Sequence, residues 1–498
     1  MKMKSILFLN IICICFQNAF AQEAQTINDT IYSEVLNEER EITIKLPVSY
    51  DQESNEKYDV IYLTDGEWNE YPFSFIYKFA QDESYVPPAI IVSVKNKYID
   101  GANQRDRDFL PVKVPQPAIS GGADNFLDFL EQELMPYINT NYKTNGHNSL
   151  YGHSYGGLFT AYALLTRPAV FDYYYATDPA FWFNDEYIIQ LAGEKLESLP
   201  PGKVFWVAGI TESHKGMKID KMDSVLQAKA PENLHWKVVT YPNEKHNSVR
   251  LKAMYDGIKY VYSGYTTSPM MIHPMGGTLM PDSAIGIFIQ NQGNARYTLD
   301  GSTPTSESMG IRSLDEIKGP VQLSVKSFST SGRYDHLISE EFKTGEAVKS
   351  VKKTRKAEAG GLRYSFYKGS FEKIPDFDDM KPEQKGIAND TFRISKLGDT
   401  DLACLFEGYL EIDQTGNYIF FLRSDDGSRL YINEQLIINN DGIKTQPEPK
   451  SYVVPLEVGF HQIRIEYFQY KDGKDFSLRY VKPNRYQSER IPNSKLYH

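Results

Sequence analysis

Cysteine is scarce in this sequence. Of 498 residues only Cys13, Cys15 and Cys404 carry a thiol, and the first two sit in an apolar N-terminal run. A framework of internal disulfides is therefore excluded, and each domain must rest on its own apolar core. Long hydrophobic runs are missing too. The N-terminal one, Ile6 to Phe16, falls well short of the ~20 residues a bilayer span needs. Positive charge is not in excess: the net charge of −11 excludes the basic surface that nucleic acid requires and disfavours anionic lipid. The H-E-x-x-H spacing is absent, so no metal or other cofactor is expected in the chemistry.

What is present begins with Lys2, Lys4, the short apolar run and Ala19-Phe20-Ala21, the pattern of a cleaved secretory signal over residues 1–21. An exported protein, periplasmic or at the cell surface, is expected. Between residues 22 and 265, apolar β-branched and aromatic runs alternate with helical patterns. The runs include Val60–Leu63, Ala89–Val94, Val204–Ala208 and Trp236–Val239. That alternation predicts an α/β domain with a mainly parallel, doubly wound sheet. Short alternating strands and Asp-Gly turns follow in residues 266–345, and again, larger and more aromatic, in 361–498. Two all-β sandwiches are expected, joined by a solvated linker over 346–360 that contains "KSVKKTRK".

The stretch "LYGHSYGG" at Leu150–Gly157 places Ser154 between two glycines. Alone, G-x-S-x-G is a weak pattern. Here a strand-like run precedes it, and a helical run, "GLFTAYALL", follows until Pro168 forces an end. Strand, tight turn and helix are the context in which a serine hydroxyl is lifted out of the backbone as a nucleophile. A nucleophilic serine needs a base, a group that orients the base, and donors for the oxyanion. His246, in a polar loop after the strand Trp236–Tyr241, is the expected base. His153 is expected to pack, pointing away from the serine. Glu212, after the strand Val204–Ala208, is the expected acid, with Asp178 and Asp185 as rivals. The backbone N–H of Tyr155 and that of Gly66 or Glu67 are the expected oxyanion donors.

The run "LYGHSYGGLFTAYALLTRPAVFDYYYATDPAFWF", with "VIYLTDGEW", "RDRDFLP" and "GGADNFLDFLEQELMPYI", resembles the esterase D-like family of α/β-hydrolases. That family includes siderophore esterases and lies close to feruloyl and acetylxylan esterases. The resemblance implies an α/β-hydrolase fold, and its late "H-x-S-V" context matches His246–Val249. Substrate contacts are expected from Trp68, Arg105, Arg107 and Trp182, although a structural ion-pair role for the two arginines is an equal alternative. "RYTLDGSTPTSES" is similar to the small sandwich of chitobiase-type enzymes and implies a spacer. Phe392 to Tyr480 resembles the lectin-like sandwich of protective-antigen type. In glycan-binding members of that family two adjacent aspartates hold Ca²⁺, and Asp425 and Asp426 fall at that place; a turn with exposed acids is the alternative.

Three functions follow as expectations. The first is an exported serine esterase removing acetyl or feruloyl groups from polysaccharide, with a glycan-binding C-terminal module. The second is a siderophore trilactone esterase. The third is a non-catalytic surface glycan-binding protein, suggested by Asp178-Pro179-Ala180 where family members more often read Ser-Pro-Ser.

Overall fold

A computed structural model describes residues 25–291, 293–311, 316–388, 401–444, 447–470 and 475–498. The expected signal lies outside the described residues. The chain divides into two compact units, one of residues up to 266 with 330–333, the other of 267–329 and 334–498.

The first unit is built on an eight-stranded sheet. Its strands are β1 (Thr26–Ser33), β2 (Glu38–Lys45), β3 (Tyr58–Leu63), β4 (Ala89–Val94), β5 (Thr144–His153), β6 (Tyr173–Thr177), β7 (Lys203–Ile210) and β8 (Leu234–Tyr241). They lie in the order β1-β2-β4-β3-β5-β6-β7-β8. β1, β2 and β4 pair antiparallel, and all pairings from β4 onward are parallel. Every residue of β3, β4, β6 and β7 is buried, which is why those runs are continuous rather than alternating. Each fully buried Val, Leu, Ile or Phe contributes roughly 1.5–3 kcal/mol of transfer free energy.

The helices are α1 (Gly66–Asp82), α2 (Arg105–Phe109), α3 (Ala123–Asp128), α4 (Met135–Asn141), α5 (Tyr155–Thr166), α6 (Phe183–Lys195), α7 (Ile219–Lys229) and α8 (Val249–Val261). A π-helical segment, Phe129–Leu134, joins α3 to α4. Phe126, Phe129, Leu130 and Leu134, the apolar positions of that helical pattern, are all buried in one core. β3 is flanked by β4 and by β5, so the chain winds away from it in both directions. Such a reversal opens a crevice at the carboxyl ends of the strands. α1 starts directly after β3, and α5 directly after β5.

The second unit is almost entirely β. Its larger sheet has nine strands, and it takes strands from both expected sandwiches. The short strand Gly277–Leu279 pairs with His336–Thr344 on one side and, at Gly277, with Val453 of Glu448–Leu456 on the other. Gly277 has φ +124°, and a Cβ there would stand 2.1 Å from the Val453 carbonyl oxygen, so only glycine closes this joint. Ile419, Val453 and Val481 share one core with Ile272, Leu279, Leu323 and Phe342. A seven-stranded sheet and two two-stranded sheets complete the described part of the unit.

The segment read as a solvated linker is pinned along this unit. Val348 donates to the Pro455 carbonyl at 2.9 Å, Val351 to Phe460 at 2.7 Å, and the Ser350 N–H to Glu457 at 3.0 Å. Backbone groups lying against a sheet take hydrogen-bond partners, and the basic side chains of "KSVKKTRK" hide that role in the sequence.

Candidate active site

Ser154 sits on the turn between β5 and α5 with φ 61° and ψ −118°, a conformation that non-glycine residues avoid. Such backbone costs about 1–3 kcal/mol and persists only when its surroundings hold it. They do so here: the Ser154 N–H donates to Thr177 O at 3.0 Å, and Ser154 O accepts from Leu158 at 3.0 Å and Ala180 at 3.1 Å. The flanking glycines are demanded by close contact. A Cβ on Gly152 would lie 2.0 Å from the Gly156 carbonyl oxygen, and one on Gly156 would lie 2.5 Å from Thr64 Oγ1. Gly156 thus lets the loop after β3 press against the serine turn.

His246 reaches the same cleft, a space of about 470 Å³ lined by Trp68, Arg105, His153, Ser154, His246, Asn247 and Arg250. Ser154 Oγ forms no hydrogen bond with a described residue, and such contacts are commonly loose in substrate-free sites. The carboxylate on His246 belongs to Asp178, whose Oδ2 lies 2.6 Å from Nδ1. Asp178 is buried, and its Oδ1 has no hydrogen-bond partner among the described residues. Its charge is therefore directed at the imidazole, holding Nδ1 protonated and Nε2 free to accept.

Glu212, the expected acid, does something else. Its Oε1 accepts the Asn243 N–H at 2.9 Å, which lowers its pKa and pins the loop leading to His246. Both carboxylates follow a strand next to or near β5, and chain order alone does not separate them. Asp178 sits at φ 39° immediately after β6, the direct neighbour of β5, and β6 was the strand the apolar pattern did not reveal. The Asp178-Pro179-Ala180 segment, a sign of drift by its sequence, supplies the partner of His246. Asp185 lies in the first turn of α6 with φ 53°.

His153 packs, as expected, but against the site itself. Its ring centroid is 4.4 Å from that of His246, and its Nε2 lies 2.7 Å from the His246 carbonyl oxygen. Burial, with His246 beside it, pulls the His153 pKa down to about 3, so this ring is neutral and donates through Nε2.

The loop after β3 is organised by Asp65, a buried residue in left-handed conformation that precedes α1. Arg105 grips its carboxylate with Nε at 2.6 Å and Nη2 at 2.9 Å, and Asn96 adds Nδ2 at 2.9 Å. Burial raises the Asp65 pKa, and Arg105 opposes it. Arg105 Nη2 also donates to the His153 carbonyl at 3.0 Å, tying this loop to the strand that carries Ser154. The N–H groups of Gly66 and Glu67 open α1 and that of Tyr155 opens α5. First-turn N–H groups have no partner within their own helix, which is the condition an oxyanion site requires.

Trp68 and Arg105, expected as substrate contacts, line the cleft. Arg107 does not. Its guanidinium is spent on Glu38 at 2.6 and 3.0 Å and on Asp108 at 2.8 Å, beside the buried Arg40. Its role is the ion-pair alternative. Trp182 is half exposed and stands against Tyr155, with ring centroids 6.0 Å apart. Sequence reasoning missed Arg250, whose Nη1 donates to Trp68 O at 3.0 Å and Asn69 Oδ1 at 3.1 Å. It lies four residues after His246 on α8, and that proximity was the available signal.

The "Putative esterase" family model matches residues 33–250, and the PA14 domain model matches residues 359–495. The chain carries an esterase-family domain followed by a PA14 domain. Over 112 residues it is 39% identical to the siderophore triacetylfusarinine C esterase of Aspergillus fumigatus, covering 22% of this chain and 38% of that protein. Over 149 residues it is 30% identical to the ferri-bacillibactin esterase of Bacillus subtilis, covering 27% and 52%. The chain thus spans about half or less of the length of these relatives. Among solved structures, an IroE-like serine hydrolase from Shewanella oneidensis aligns at 32% identity over 49% of this chain and 82% of its own, with a TM-score of 0.44. The architecture is that of an α/β hydrolase followed by β-sandwich structure. No helix among the described residues is long and apolar enough to cross a membrane.

Proposed function

We propose that the first unit hydrolyses carboxylic esters through Ser154. The observation that carries this reading is the convergence of the strained serine turn with the Asp178–His246 pair in one cleft. In this reading His246 Nε2 takes the Ser154 proton as Oγ attacks the ester carbonyl. Asp178 stabilises the imidazolium that results, and the N–H groups of Tyr155 and of Gly66 or Glu67 receive the oxyanion. His246 then returns the proton to the leaving alcohol, and water repeats the cycle on the acyl-serine.

The cleft favours an ester with an anionic acyl portion. Arg250 meets only neutral acceptors, and Arg105 faces the Trp68 ring at 5.8 Å. An aromatic rim carrying the Arg250 charge suits siderophore esters, the class to which the named substrates of the relatives belong, acted on by an exported enzyme. Acetyl or feruloyl groups on polysaccharide are the second reading, favoured by the PA14 domain behind the esterase domain. Ser154→Ala is expected to lower hydrolysis of p-nitrophenyl acetate by about four orders of magnitude or more. Retained turnover would refute the serine mechanism. Comparing a catechol trilactone with feruloylated and acetylated oligosaccharides then separates the substrate classes.

A further inference from the structure

The Asp425–Asp426 turn does not fit a divalent cation. Asp426 Oδ2 already accepts Gln469 Nε2 at 3.0 Å and the Tyr470 N–H at 2.7 Å, while Oδ1 receives the Lys444 N–H at 3.4 Å. Asp425 Oδ2 takes the same Gln469 amide at 3.4 Å. No group of three or more His, Cys, Asp or Glu side chains with metal-holding geometry occurs among the described residues. A calcium ion collects six to eight oxygens, and here both Asp426 carboxylate oxygens already face N–H donors.

A cation is nevertheless present. Lys444 Nζ lies 2.6 Å from Asp426 O, 2.8 Å from Asn440 O and 3.4 Å from Gly442 O. An ammonium has three donors, and each finds one carbonyl. Carbonyl oxygens beside a buried carboxylate are what a hard cation collects, and the covalently tethered ammonium takes them first. Burial and the nearby Lys450 lower the Lys444 pKa, opposed by Asp426, Glu448 and Asp441, so the three carbonyl contacts carry the assignment. Gly427 completes the turn, since a Cβ there would meet Phe468 Cε1 at 2.2 Å.

We propose that the Lys444 ammonium occupies the cation position of the Asp425–Asp426 turn, so that the PA14 domain holds this loop without calcium. The full-length protein is melted in excess Ca²⁺ and in EDTA, alongside Lys444→Ala and Lys444→Arg. Wild type and Lys444→Arg are expected to melt alike under both conditions. Lys444→Ala, which vacates the carbonyls, is expected to melt about 5 °C lower in EDTA and to recover in Ca²⁺. A calcium-dependent rise in the wild-type melting temperature that Asp426→Asn abolishes would overturn the proposal. So would a Lys444→Ala protein that melts as wild type does and ignores calcium. If Lys444→Ala is not recovered folded, the wild-type titration decides alone.

Discussion

The serine turn and the Asp425–Asp426 turn are both short, glycine-bearing and rich in chemistry, yet they are built on opposite principles. Around Ser154 three neighbouring strands, β3, β5 and β6, are each followed within two residues by a non-glycine residue of positive φ: Asp65 at 54°, Ser154 at 61° and Asp178 at 39°. Backbone strain is concentrated there, and Ser154 Oγ is left uncommitted. At the second turn Asp425 and Asp426 have no such backbone, and the Asp426 carboxylate and the nearby ammonium are met by internal partners. Strain beside an uncommitted hydroxyl is what the proposed chemistry requires. A turn whose groups are met internally is what the proposed structural role requires.

The contrast is broken most strongly by removing the partner of His246. Asp178→Asn is expected to lower kcat by about three to four orders of magnitude, because the imidazole loses its tautomer and its counter-charge. Glu212→Gln, which keeps an acceptor for the Asn243 N–H, should change kcat less than about twofold. Steady-state kinetics on one ester checks both, and a larger loss in Glu212→Gln would return the acid to its expected position.

Smaller effects come from the two crowded glycines. Gly152→Ala pushes a methyl group into the Gly156 carbonyl, and Gly277→Ala into that of Val453. Each is expected to cost about 2–4 kcal/mol in its own unit. Calorimetry should show a transition lowered in each case, with ester hydrolysis kept in Gly277→Ala alone.

The gentlest lever is pH. His153 is held at about 3 against an ordinary 6.5, so between these values the unfolded state binds a proton that the folded state refuses. The first unit should therefore lose stability as pH falls from 6.5 towards 3. In the second unit burial pushes Glu340 up to about 7, so the folded state keeps a proton that the unfolded state releases above 4.5. That contribution runs the other way, and stability falls as pH rises from 4.5 to 7. His273, lowered to about 4 by burial, adds an acid limb to the second unit as well. Melting curves across pH test this: His153→Phe should flatten the acid dependence of the first unit, and Glu340→Gln the neutral dependence of the second.

Much of the first unit was legible because its signals are local. Strand, elbow and helix around Ser154 occupy one continuous stretch, and His246 follows a recognisable strand. The carboxylate was not legible for a physical reason. A triad needs an acid at the end of a nearby strand, and two strand ends satisfied that demand. Sheet order, which places β6 beside β5, brings Asp178 rather than Glu212 to His246, and the tyrosine-rich run Tyr173–Thr177 gave no apolar signature of its own. Lys444 was invisible for a similar reason. It lies 18 residues after Asp426, and only the fold brings its side chain back to the turn. The Gly276–Gly277 joint, where one sheet passes between two sandwiches, also needs long-range pairing to be seen.

That joint has a practical side. Splitting the chain between residues 345 and 361 would part Gly277 from Val453, leaving Gly277–Leu279 paired only with His336–Thr344 and Glu448–Leu456 only with Gly416–Ser424. Each fragment would then carry a raw strand margin, the kind that recruits other chains in solution. Expression of either half alone is expected to give aggregates, and the two sandwiches, sharing a sheet and a core, are expected to melt together.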